Sequence, residues 1–248
     1  MHREGWKKYL WNLGVPSRLF DNALLDSLGH LVKKKLHHEA HKYRQFILQL
    51  DRYAEIYEML GAFDRHERDE LNVALGKLKQ PFVEMEPKVL THDDFHSYIW
   101  KCKTIFEEAA KKVKPIAIDE VEYIRLDEGI DCFFEGNFHA AIAMVASAVE
   151  RRLFLLMSNI RPDKKEELEK LTFGQLIAEY LNKKDEYKQV VPSKHEQLLN
   201  HINRLRVLSV HPKGERITQV NARTLIEEAL QFLIDTYNLV EKRIPAEE

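Results

Sequence analysis

Apolar residues recur along most of this chain at steps of three and four. At about 100° per residue that spacing stacks them on one face of an α-helix, and few Val/Ile/Thr runs alternate as a strand would. The pattern predicts an all-α protein with no sheet. Its longest stripe, Leu36, Ala40, Tyr43, Ile47, Leu50 and Ala54, suits a helix packed antiparallel to its neighbours.

Breakers and caps divide the pattern. Pro16-Ser17 opens a helix through Leu28; Gly29 reads as a break, and a long helix follows from about His30 to Leu60, ended by Gly61. Asp64 caps a helix to about Lys79. After Pro81 and Pro87, Thr91 and Asp94 form a capping-box start for a helix to about Lys114. Pro115 interrupts, and Asp119 opens the next element, expected to end near Glu135-Gly136. Asn137 is expected to cap a helix from Phe138 to Met157, rich in small residues, with Arg161-Pro162 beyond it. Thr172 with Gln175, and Ser193 with Glu196, repeat the capping box, and a last helix spans about Val220 to Ile244. A soft boundary near 115 separates an N-terminal helical region, 1–114, from a C-terminal helical domain, 115–248.

The chain's 248 residues, 44% of them apolar, suffice for one large or two small cores. With a net charge of −2, the whole-molecule field would not gather a polyanion, so such a site must come from a local patch. Two exist. Arg204, Arg206, Lys213 and Arg216 against Glu215 give 4 − 1 = +3, and Lys33, Lys34, Lys35, Lys42 and Arg44 against Glu39 give 5 − 1 = +4. Two cysteines, Cys102 and Cys132, lack metal-type spacing and fit a reducing compartment. The start Met1-His2-Arg3-Glu4-Gly5-Trp6 leads into no apolar signal core, and no uncharged apolar window of about 18 residues occurs, so the chain reads as cytoplasmic with no membrane span.

Phosphate loops, nucleophile elbows, zinc cysteines and dinucleotide fingerprints are missing from the sequence, and no cofactor is expected. His37 and His41, and again His92 and His96, stand one helical turn apart, a spacing that can chelate a metal. The run His38-Glu39-Ala40-His41-Lys42 misses the metalloprotease pattern, because Lys42 stands where a second histidine is needed. The plainer meaning of these pairs is solvated helical histidine, and no metal site is expected.

Polar chemistry concentrates between Asn200 and Pro212. Leu198, Ile202, Leu205 and Ser209 mark the core face of that helix, which places Arg206 about 70° from its centre and Arg204 nearly opposite. Arg206 should therefore be the more buried. Pro212 disfavours helical geometry at His211, so the helix should end there, where its partial negative charge favours a cationic imidazole. Arg206 and His211 then either cap a helix or carry chemistry. Five residues turn a helix by about 140°, so one helix would not bring both onto one face, and a cleft shared by two copies is expected.

Glu135-Gly136-Asn137-Phe138-His139-Ala140-Ala141, then Ser147-Ala148-Val149-Glu150, the segment Leu171 to Ile177, and Arg206-x4-His211 together resemble the HEPN superfamily of helical domains over about residues 118–245. The resemblance implies an up-and-down helical bundle, a homodimer through the C-terminal helices, and a metal-independent endoribonuclease or RNA-binding protein of a defence or toxin system, open to a regulatory partner protein. It implies that Arg206 binds the scissile phosphate and His211 transfers protons. Asn203, Arg204, Lys213 and Arg216 would contact RNA, Glu150 would support the site, and Arg204 is the second choice for the functional arginine. The family often carries a polar residue directly after the arginine; here that position is Val207. A catalytically silent binding or dimerisation module is the alternative.

Overall fold

The computed structural model describes residues 20, 22–34, 40–80, 90–113, 116–187, 193–211 and 217–241. They are helical, with no strand among them. The chain divides into two compact units between Val113 and Lys114.

The N-terminal unit holds α1 (Asn22–Lys34), α2 (Ala40–Met59), α3 (Arg65–Lys79) and α4 (His92–Lys112). Contrary to the sequence expectation, α1 runs through Gly29; Pro16-Ser17 lies outside the described residues. Tyr43, Ile47 and Leu50 are buried as the stripe requires, and the Tyr43 hydroxyl donates to the Leu78 carbonyl at 2.9 Å. Tyr57, Phe63 and Phe106 cluster with ring centroids 5.5 to 6.0 Å apart. Asp64 and Glu67 cap α3 reciprocally, as do Thr91 and Asp94 at α4, satisfying backbone donors that helix starts leave over.

The C-terminal unit contains α5 (Glu120–Phe134), α6 (Phe138–Ile160), the single turn α7 (Lys165–Leu168), α8 (Phe173–Asn182), the single turn α9 (Lys184–Tyr187), α10 (Glu196–Val210) and α11 (Gln219–Glu241). Helix α6 is central, packing against α5, α8, α10 and α11. Its small residues Ala141, Ala146 and Ala148 are fully buried, and a β-carbon on Gly129 would come within 2.6 Å of Val145 Cγ2, so α5 and α6 approach as closely as a bare backbone permits.

Gly136, at φ +79°, closes α5: its N–H bonds to the Phe133 carbonyl, and that of Asn137 to the Cys132 carbonyl. This turn overrides the expected cap. Asn137 makes no side-chain bond to α6 and its amide reaches back to Glu135 at 3.3 Å. A 3₁₀ turn, Ser193–His195, leads into α10 and puts His195 at its cap position; the expected pairing of Ser193 with Glu196 rests on a side chain outside the described residues. No helix among the described residues is long and apolar enough to cross a membrane.

An ion pair the sequence reading missed ties this unit together. Arg152, fully buried on α6, donates from Nε and Nη2 to the two oxygens of Glu122, each at 2.8 Å. Its Nη1 reaches the Leu233 carbonyl at 2.6 Å and Thr236 Oγ1 at 2.9 Å on α11, and its Nη2 also reaches the Ile116 carbonyl. One guanidinium thus joins α5, α6, α11 and the segment before α5. The signal was present, since Arg152 is three residues after Val149 and four before Leu156, on the apolar stripe.

Candidate functional site

The buried face of α10 is Leu199, Ile202 and Leu205, with Leu198 and Ser209 only half-buried. The helix is therefore rotated slightly from the orientation expected, but the order of its arginines holds: Arg204 is exposed and Arg206 half-buried. An Arg206 Nη2 lies 3.5 Å from a carboxylate oxygen of Glu150, whose side chain is 19% exposed against 30% for the arginine. Glu150 restricts where the guanidinium points and leaves part of it open to a ligand.

His211 ends α10. Its N–H bonds to the Val207 carbonyl at 3.2 Å, its backbone is already extended (φ −103°, ψ 131°), and it is exposed. Because the chain has left the helix there, helical rotation no longer fixes the angle between Arg206 and His211, which weakens the rotational argument for a shared cleft. Asn203 is half-buried with its amide close to Gly174 of α8: a β-carbon there would sit 3.3 Å from Nδ2. It lines the α8–α10 contact. Lys213 and Arg216 lie outside the described residues.

Sequence reasoning gave His139 no role. It stands in the first turn of α6, where its Nδ1 bonds to the Ser209 carbonyl at 3.1 Å. A carbonyl only accepts, so Nδ1 is the donor, and in the neutral ring Nε2 then carries the lone pair. Beside it, Gly136, Asn137, Phe138, Ile217 and Thr218 line an open groove of about 720 Å³ where α6 and α11 begin. The seam between antiparallel α6 and α10 thus carries Glu150 with Arg206 at one point and, at another, His139 against Ser209, which stands two residues before His211. Spacing alone could not show this, because Ser209 and His139 are 70 residues apart.

Among the described residues, no group of three or more His, Cys, Asp and Glu side chains is arranged to hold a metal ion. Arginine and imidazole are the groups the seam offers, suited to binding phosphate and moving protons. The chain matches no known family model, no curated protein and no solved structure.

Proposed function

We propose that the C-terminal unit is an endoribonuclease whose chemistry rests on imidazole and guanidinium groups, as its resemblance to the HEPN superfamily implies. The observation that supports this reading is the α6–α10 seam, which carries Arg206 beside Glu150 and His139 against Ser209, two residues before His211. Arg206 offers paired donors to the phosphate and stabilises the extra charge of the pentavalent state. The bare Nε2 of His139 accepts the 2′-hydroxyl proton as that oxygen attacks phosphorus. His211, at the negative end of α10, returns a proton to the departing 5′-oxygen. The products are a 2′,3′-cyclic phosphate and a 5′-hydroxyl. The groove beside His139 is open enough to take a neighbouring nucleotide.

A homodimer belongs to this proposal. Val207, Val210 and Val220 are 41%, 59% and 72% exposed near the site, and a second copy would cover them. Light scattering at micromolar concentration should give twice the chain mass; monomer alone would reject it.

The deciding assay incubates wild type, Arg206→Ala and His211→Ala with mixed RNAs in chelator. Wild type should yield cyclic-phosphate ends. Each variant should lose about 10²-fold or more of that rate, the usual worth of an acid–base group or a preorganised donor. Equal cleavage by all three would reject the reading. Val207 favours a second one, a silent RNA-binding module, for which Arg206-dependent binding without cleavage would decide.

A further inference from the structure

The seam makes no use of two histidines in the N-terminal unit. His92 and His96 stand one turn apart at the start of α4, both half-buried, with ring centroids 4.4 Å apart and Nε2 atoms facing each other at 3.2 Å. α1 makes room for them. A β-carbon on Gly29 would come within 2.9 Å of His96 Nε2 and 3.2 Å of His92 Nε2. Glycine inside a helix is less favourable than alanine, and here its missing side chain is the space the imidazoles occupy.

In an Nε2···Nε2 hydrogen bond one nitrogen donates and the other accepts, so one lone pair points at the partner ring. The separation also suits a metal. Two nitrogens each about 2.0–2.1 Å from a tetrahedral ion lie roughly 3.3 Å apart, close to the 3.2 Å found. Neutral imidazole nitrogen prefers zinc, nickel and copper over calcium or magnesium.

We propose that His92 and His96 form a two-histidine chelate for a divalent transition-metal ion of the zinc, nickel and copper class. The described side chains supply no third metal-binding partner, so water completes the coordination. Binding needs both Nε2 lone pairs, and the ring that held the shared proton moves it to its own Nδ1, with no net release. On His92 that nitrogen lies 3.5 Å from an Asp93 carboxylate oxygen, which favours a proton there. The bound ion fixes the first turn of α4 beside α1.

The test uses the full chain, stripped with chelator, dialysed and titrated with zinc chloride by calorimetry, while ring nitrogens are followed by NMR. The proposal expects one zinc per chain, joint shifts of the His92 and His96 Nε2 signals, and a higher melting temperature in excess zinc. His92→Ala and His96→Ala should each lose that equivalent, and His41→Ala, at an exposed histidine of α2, should keep it. The wild-type NMR experiment needs no variant to fold. Zinc that leaves both Nε2 signals in place, or uptake undiminished in both alanine variants, would overturn the proposal and leave the pair as a plain N–H···N hydrogen bond. Neither result bears on RNA cleavage, which is read in chelator from the other unit.

Discussion

Arg152 and Glu122 form a two-pronged ion pair with both side chains wholly shielded from solvent. Removing one partner strands the other's charge in the core, which typically costs about 3–5 kcal/mol. Arg152→Met should lower the unfolding free energy measured in urea by that much or prevent folding. Replacing both, as in Arg152→Met with Glu122→Leu, should recover only part of the loss, because the Leu233 and Ile116 carbonyls and the Thr236 hydroxyl would also lose their donor. A double variant as stable as wild type would show that those contacts contribute nothing.

The two thiols should react very differently. Cys102 is buried in the N-terminal core, and burial pushes its thiol up to about 12. Cys132 is half-buried, its thiol raised by burial and by the neighbouring carboxylates Glu135, Asp131 and Glu128. Because the thiolate is the reactive form and access is required, native protein at pH 8 should take up one iodoacetamide, on Cys132, and a second only in denaturant. Mass spectrometry of the peptides reads the order directly, and early labelling of Cys102 would mean that the N-terminal core opens readily.

The features legible in the sequence were those built from neighbours in the chain. The capping pairs Asp64–Glu67, Thr91–Asp94 and Thr172–Gln175 need only three-residue spacing and a helix behind them, and all are present. Gly29 was misread because its reason for being glycine lies on another helix, in the rings of His92 and His96. Asn137 failed as a cap because the turn at Gly136 had already fixed its backbone. Within the candidate site, the half-buried Arg206 and the helix end at His211 followed from periodicity and Pro212. The approach of His139 to Ser209 is a tertiary contact that no local rule reaches.

The ring of His195 gives a pH dependence of definite sign. It is buried at the start of α10, edge-on to Phe232, with Nε2 3.2 Å from Asp235 but out of line for a good hydrogen bond. Burial lowers its pKa below the ordinary 6.5; Asp235 opposes the shift and Lys194 adds to it. The unfolded chain therefore binds this proton more readily than the folded one. The stability that comes from keeping the ring neutral is complete above the unfolded value and is lost as pH falls from about 6.5 towards the folded value. Melting temperatures from pH 7.5 to 5 should fall more steeply for wild type than for His195→Gln; parallel curves would place the acid sensitivity elsewhere.

Glu150 tests whether Arg206 is a held functional group or a helix-surface cation. The pair is partly solvated and 3.5 Å long, a type of contact worth about 0–1 kcal/mol of stability, so Glu150→Gln should leave the melting temperature within a few degrees of wild type. Its effect on RNA should be larger in proportion, since a guanidinium freed from its carboxylate samples more directions and meets the phosphate correctly less often. The expected pattern is a fall in the cleavage rate constant with little change in KM, smaller than for Arg206→Ala. Arg206→Lys should restore little, because an ammonium keeps the charge and loses the paired donors. Measured side by side, Glu150→Gln and Arg206→Lys should lie between wild type and Arg206→Ala. Lysine at full activity would show that position 206 contributes charge alone.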